Sequence, residues 1–163
     1  MQRIDEALSF LLRRVLAPTL ALASGLAATA VSAQRVEPVH GASPLVLEVV
    51  GLRSDRGVLR AGLFDGASRW LAEGQERATC RASVRGPRTR CDLGVIPEGH
   101  YAIAFMHDED EDGALDRDWI GLPQEGFGFS NDAPVVLSPP GFDSAVFVHS
   151  GAEVVRATAR YGL

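Results

Sequence analysis

Apolar and polar residues alternate along much of the chain with the two-residue period of half-buried strands. Leu45, Leu47 and Val49 are interleaved with Val46, Glu48 and Val50 and stop at Gly51, which predicts a strand by period and β-branched content. After the turn Ser54-Asp55-Arg56-Gly57, residues 58–65 repeat the pattern, so the first unit is expected to be a hairpin or a meander step. Residues 66–74 hold only one or two helical turns, with Trp70 and Leu71 covering one end of the core. Two further arms, 78–84 and 89–95, flank Arg85-Gly86-Pro87-Arg88 as a hairpin. Residues 100–107 place Tyr101, Ile103, Phe105 and His107 on one face and Ala102, Ala104 and Met106 on the other. Both faces are apolar, as in a central strand of a packed sheet. Residues 134–137 form a short strand in this reading, and 143–149 with 152–160 form a last hairpin about Ser150-Gly151. About seven short strands, with turn signals roughly every eight to twelve residues and almost no helical period, predict an all-β fold, a single antiparallel β-sandwich. One long segment, 108–133, fits no element, and loops of that length are usually functional.

The N-terminal region reads differently. Arg13 and Arg14 precede an uncharged, mostly apolar run from Val15 to Val31, and Val31-Ser32-Ala33 is a small-residue cleavage pattern, together the signature of a secretory signal. The run is broken by Pro18 and Gly25 and falls short of the ~20 apolar residues that a spanning helix needs. The expected organisation is therefore a signal over 1–33, a polar lead-in over 34–44 and a sandwich domain over 45–163, with no membrane span in the mature chain. Periplasmic or secreted localisation follows.

Composition narrows the partners. From Gln34 onward there are thirteen arginines, no lysine and nineteen acids, so a nucleic acid finds no net basic surface to engage. Cys80 and Cys91 are both in the exported part, placed about the Arg85-Gly86-Pro87-Arg88 turn. An oxidising compartment favours pairing them, here as a disulfide tying the two arms of a hairpin.

Charge singles out the long loop. Between His107 and Asp132 there are nine acids and one base, Arg117, a density that opposes compaction unless a cation or solvent relieves it. Asp108, Asp110 and Asp112 followed by Gly113 match the first half of the EF-hand calcium loop, in which alternate side chains converge and a glycine permits the sharp turn. Ala114 would offer its carbonyl, Leu115 would point into the core, and Asp116 would stand at the ninth position. The match then fails, because Trp119 occupies the place of the bidentate glutamate. The candidate ligand set is Asp108, Asp110, Asp112, Ala114, Asp116 and Asp118, with His107 and Glu125 as possible additions. Hard oxygen donors without cysteine suit calcium better than zinc or copper. Downstream, Gly126 and Gly128 alternate with Phe127 and Phe129. Glycine there allows unusual backbone angles while the rings fold back as plugs.

The run His107-Asp108-Glu109-Asp110-Glu111-Asp112-Gly113, then Leu115-Asp116, Gly121, Pro123, residues 125–131 and finally Pro140 with Phe142 resembles the uncharacterised bacterial family called domain of unknown function 2141. That family usually carries Asn where this chain has Asp110 and Asp112. The resemblance implies an exported protein without an assigned reaction, and a small sandwich similar to transthyretin-like and carboxypeptidase-regulatory-like domains. The expected function is an exported binding or structural module with a calcium-binding loop, acting on a small molecule or an envelope protein. The rival is a hydrolase using His107, neighbouring carboxylates and a bound metal as Lewis acid. Ser130 lacks the G-x-S-x-G context of a nucleophile, so covalent catalysis has little support.

Overall fold

The computed structural model describes residues 41–136 and 138–162; the expected signal and most of the lead-in lie outside the described residues, as does Leu137. Among the described residues, eight strands form two packed sheets. They are β1 (Ala42–Val50), β2 (Val58–Phe64), β3 (Ala78–Ser83), β4 (Arg88–Pro97), β5 (Gly99–Asp108), β6 (Gly126–Phe129), β7 (Phe147–His149) and β8 (Glu153–Thr158). One sheet has the order β4-β1-β8, the other β3-β2-β5-β6, with β7 paired to the first residues of β5. The predicted β-sandwich is therefore the architecture observed. One pairing departs from antiparallel: β1 and β8 run parallel, Leu47 opposite Val155 and Val49 opposite Ala157.

β5 has two apolar faces, as its sequence requires. Tyr101, Ile103 and Phe105 meet Leu45, Leu47, Val49 and Leu59 between the sheets. Ala102, Ala104 and Met106 face outward into a second core with Phe64, Leu71, Leu115, Phe127 and Phe129. Trp70 packs against this outer core and donates its indole N–H to the Pro140 carbonyl at 2.7 Å. The outer core is what fastens the long loop, through Leu115, onto the five-stranded sheet.

Three predicted hairpins are not hairpins. β1 and β2 lie in different sheets, so the turn at 54–57 carries the chain across the sandwich. β7 pairs with β5 while β8 pairs with β1. The cysteine arms also separate, β3 joining β2 and β4 joining β1. Cys80 and Cys91 do form a disulfide, but it links the two sheets. The reason lies in the alternation: Ala78, Cys80 and Ala82 on β3 and Cys91 and Leu93 on β4 all face the inner core. The arms therefore meet face to face, and each finds its backbone partner elsewhere. The other side of the sandwich is tied by backbone, Phe127 and Arg160 exchanging two 2.9 Å hydrogen bonds. Residues 134–136 form no strand, and 66–74 forms turns with no helix.

Glu48 pins the three-stranded sheet from outside. Its fully buried carboxylate accepts from Arg90 Nε at 2.8 Å and Arg156 Nε at 2.9 Å, both directly opposite it in the ladder. The hydrogen bond from Arg90 and then that from Arg156 lower its pKa against the opposing effect of burial.

The glycines of β6 serve close approach and not unusual backbone angles. Gly128 adopts no positive φ, but a Cβ there would lie 2.4 Å from the Phe105 ring. Gly128→Ala should cost about 1–3 kcal/mol, the range for overpacking a filled core, as read by denaturant unfolding. Cys80→Ala with Cys91→Ala should cost about 2–4 kcal/mol. The unreduced wild-type chain should resist alkylation under denaturing conditions.

Candidate cation site in the acidic loop

Antiparallel pairing of β5 with β6 sets His107 opposite Gly126. Asp108 and Glu125, one residue further on each side, are thereby brought together at the rim. Asp108 is fully buried, Glu125 nearly so. Gly57 makes this burial possible: at φ +71° it lies so close to the Asp108 carbonyl that a Cβ would come within 2.0 Å of it.

Asp108 spends one oxygen on Arg60, whose Nε donates to Oδ2 at 2.6 Å. Its Oδ1 is buried without a hydrogen-bond partner, the sole such side-chain atom among the described residues. Glu125 accepts the Glu109 N–H at 2.7 Å on Oε1 and the Asp116 N–H at 3.3 Å on Oε2. Burial raises its pKa to about 7, the Asp108 and Asp116 charges add to the shift, and the two amide hydrogen bonds oppose it. Exposed Asp110 completes the group: Asp108, Asp110 and Glu125 each offer a carboxylate oxygen within 4.8 Å of the others. Asp116 is also raised, first by desolvation and then by Asp110, Asp112 and Asp108.

The other predicted ligands sit elsewhere in the loop. Asp112 Oδ1 accepts the Ala114 N–H at 2.6 Å, and Asp110 Oδ1 accepts the Asp112 N–H at 3.1 Å. Asp118 Oδ1 accepts from Ile120 at 3.0 Å and Leu122 at 2.9 Å. The carboxylates of Asp112, Asp116 and Asp118 are not part of the three-carboxylate group. Gly113 does take a positive φ, +81°, and Leu115 is buried, as the loop pattern requires.

His107 is committed to the fold. Nε2 lies 2.8 Å from the Arg56 carbonyl, which can only accept, so Nε2 carries the proton. Nδ1 then accepts from Tyr161 OH at 2.9 Å, and that hydroxyl in turn accepts the Arg53 N–H at 2.9 Å. No ring nitrogen is left to serve as a base or a ligand. Arg53 also stacks on Tyr161 at 4.5 Å and pairs with Glu109, which Ser54 holds as well. Hydrogen bonds from Arg53 and Ser54 lower the Glu109 pKa although burial, the largest influence, raises it. Arg60 pairs with Asp108 and Arg81 with Glu111. Three arginines distant in sequence therefore answer Asp108, Glu109 and Glu111.

The family model described as an uncharacterized protein conserved in bacteria, DUF2141, matches residues 47–156. The chain belongs to DUF2141. No curated protein and no solved structure matches it. The match spans both sheets and the whole acidic loop, so the three-carboxylate group of this DUF2141 chain lies within the family domain. The likeness to transthyretin-like domains rests on the sequence resemblance alone.

Glu125 makes stability pH-dependent. Its folded pKa of about 7 lies above its ordinary 4.5, so between those values the folded state holds a proton that the unfolded state has lost. Its contribution is complete below the unfolded pKa and disappears as pH rises through about 7. In chelator, the melting temperature of wild type relative to Glu125→Gln should therefore fall from pH 5 to pH 8, as followed by circular dichroism.

Proposed function

We propose that this DUF2141 chain is an exported binding module, periplasmic or secreted, whose acidic loop is ordered by calcium. The observation that carries the reading is Asp108 Oδ1, buried without a partner beside the carboxylates of Asp110 and Glu125. A buried charged oxygen without a hydrogen bond is costly, and a divalent cation supplies the missing attraction while reversing the repulsion among the three groups. Oxygen donors on a flexible loop suit calcium, which takes six to eight ligands; waters and further loop oxygens would complete its shell. The cation would clasp the start of the loop, at Asp108 and Asp110, to its end at Glu125. The disulfide supports an oxidising compartment. Binding is favoured over hydrolysis because both nitrogens of His107 are used within the fold.

Calorimetry of the protein with calcium, magnesium and chelator tests the reading. Calcium should bind in the range of about 10⁻⁴–10⁻³ M usual for extracellular modules. At one hundred times Kd it should add about 2.7 kcal/mol to stability. Magnesium at equal concentration should do less. Asp110→Ala and Glu125→Gln should remove the heat of binding, whereas Glu111→Ala, whose side chain pairs with Arg81, should keep it. Identical melts with and without calcium, and no heat, would return the loop to a solvated acidic segment.

A further inference from the structure

A second histidine, His149, is fully buried and takes no part in the acidic loop. It ends β7 opposite Gly99, the first residue of β5, and so lies at the other end of the strand whose last residue is Asp108. The extended chain between them puts the two rims roughly 30 Å apart. The imidazole ties four strands together. Nδ1 lies 2.7 Å from Glu153 Oε1 at the start of β8. Nε2 lies 3.2 Å from the carbonyls of Ser43 on β1 and Ile96 on β4, and 3.0 Å from Ser43 Oγ. Ser43 and Ile96 are themselves register partners, so the ring reaches the β1–β4 ladder from a strand that pairs with the other sheet. The Tyr101 ring of β5 lies beside it, centroids 6.3 Å apart, with its hydroxyl turned to the Pro97 carbonyl.

The facing atoms fix the protons on this ring. An ionised carboxylate and a backbone carbonyl can only accept hydrogen bonds. Nδ1 faces the first and Nε2 faces two of the second, so both sides are satisfied only by an imidazolium. His107 offers the contrast, because one of its nitrogens faces a carbonyl and the other a hydroxyl that can donate, and a neutral ring suffices there. Among the described residues Glu153 is the only charged side chain that hydrogen-bonds His149, and it supplies the counter-charge. Loss of a proton would set acceptor against acceptor. The Ser43 hydroxyl can turn to donate to a bare Nε2, whereas Nδ1 faces only the carboxylate. The proton given up is therefore the one on Nε2, and the bonds to both carbonyls go with it. β7, which pairs with β5 only over Gly99–Tyr101, then loses its tie across the sandwich.

We propose that His149 is a proton-operated clamp: as an imidazolium it locks β7 to β1 and β4, and release of its Nε2 proton frees that end of the domain. Nitrogen-15 NMR of the labelled protein in chelator tests it without reference to the cation site. At pH 6 both His149 nitrogens should carry hydrogen, while His107 carries one on Nε2 alone. Toward pH 9 His149 should lose its Nε2 proton, and the amides of β7 should then exchange faster relative to Leu47 in β1, a ratio that cancels the intrinsic pH dependence of exchange. Glu153→Gln, which removes the counter-charge, should give a neutral ring at lower pH than in wild type. His149→Gln should cost more stability at pH 6 than at pH 9 in denaturant unfolding, a difference in which Glu125 cancels because both chains contain it. A neutral His149 in the folded wild-type protein at pH 6 would overturn the clamp. So would deprotonation that leaves β7 exchange unchanged, or a cost of His149→Gln that is the same at both pH values.

Discussion

A carboxylate at the end of the central strand is held on one oxygen by Arg60 and left unpartnered on the other, and the organisation of the loop depends on it. β5 is buried on both faces and serves two cores, so its last residue, Asp108, is carried into a buried position at the rim. Arg60 on neighbouring β2 takes Oδ2, which leaves Oδ1 with one direction to satisfy. β6, pairing alongside, brings Glu125 to the same place.

The electrostatics of the loop divide into two sets. Asp108, Glu109 and Glu111 are answered by arginines from other parts of the chain, and their role is to hold the loop against the sheets. Asp112 and Asp118 are used locally, each accepting backbone N–H groups that a loop without regular structure would otherwise leave to water. What remains are Asp110, Asp116 and Glu125; the pKa values of the latter two are raised first by burial and then by neighbouring carboxylates, Asp110, Asp112 and Asp108 for Asp116 and Asp108 and Asp116 for Glu125. A cation would act on this residue of charge and not on the sum of nine acids.

The two ends of the sandwich are held by different means. One side uses the covalent link between β3 and β4, the other the paired backbone of Phe127 and Arg160. The second tie joins the strand that follows the loop to the segment that follows β8, and Tyr161 next to it seals His107. The loop's anchor is thus continuous with the fold's closure.

Much was legible in the sequence. Strict alternation determined most strands, the double apolar face of residues 101–106 determined that β5 is central, and the crowding of acids with Gly113 and Leu115 located the loop and its inward-facing residue. Sequence alone could not say which strands pair, because alternation sets the buried face of a strand but not the partner along its edge. Three strand pairs adjacent in sequence therefore looked like hairpins and proved to be crossings between sheets. The same limit applied to the cluster. Spacing within 108–118 suggested a set of convergent aspartates, but proximity of Asp108 to Glu125, seventeen residues apart, arises from β5–β6 pairing. The arginines that neutralise three of the acids, and the hydrogen bonds that occupy His107, come from residues more than thirty positions distant in all but one case. Only the tertiary structure brings those groups within range, since hydrogen bonding and ion pairing act over a few ångströms and sequence separation carries no such distance.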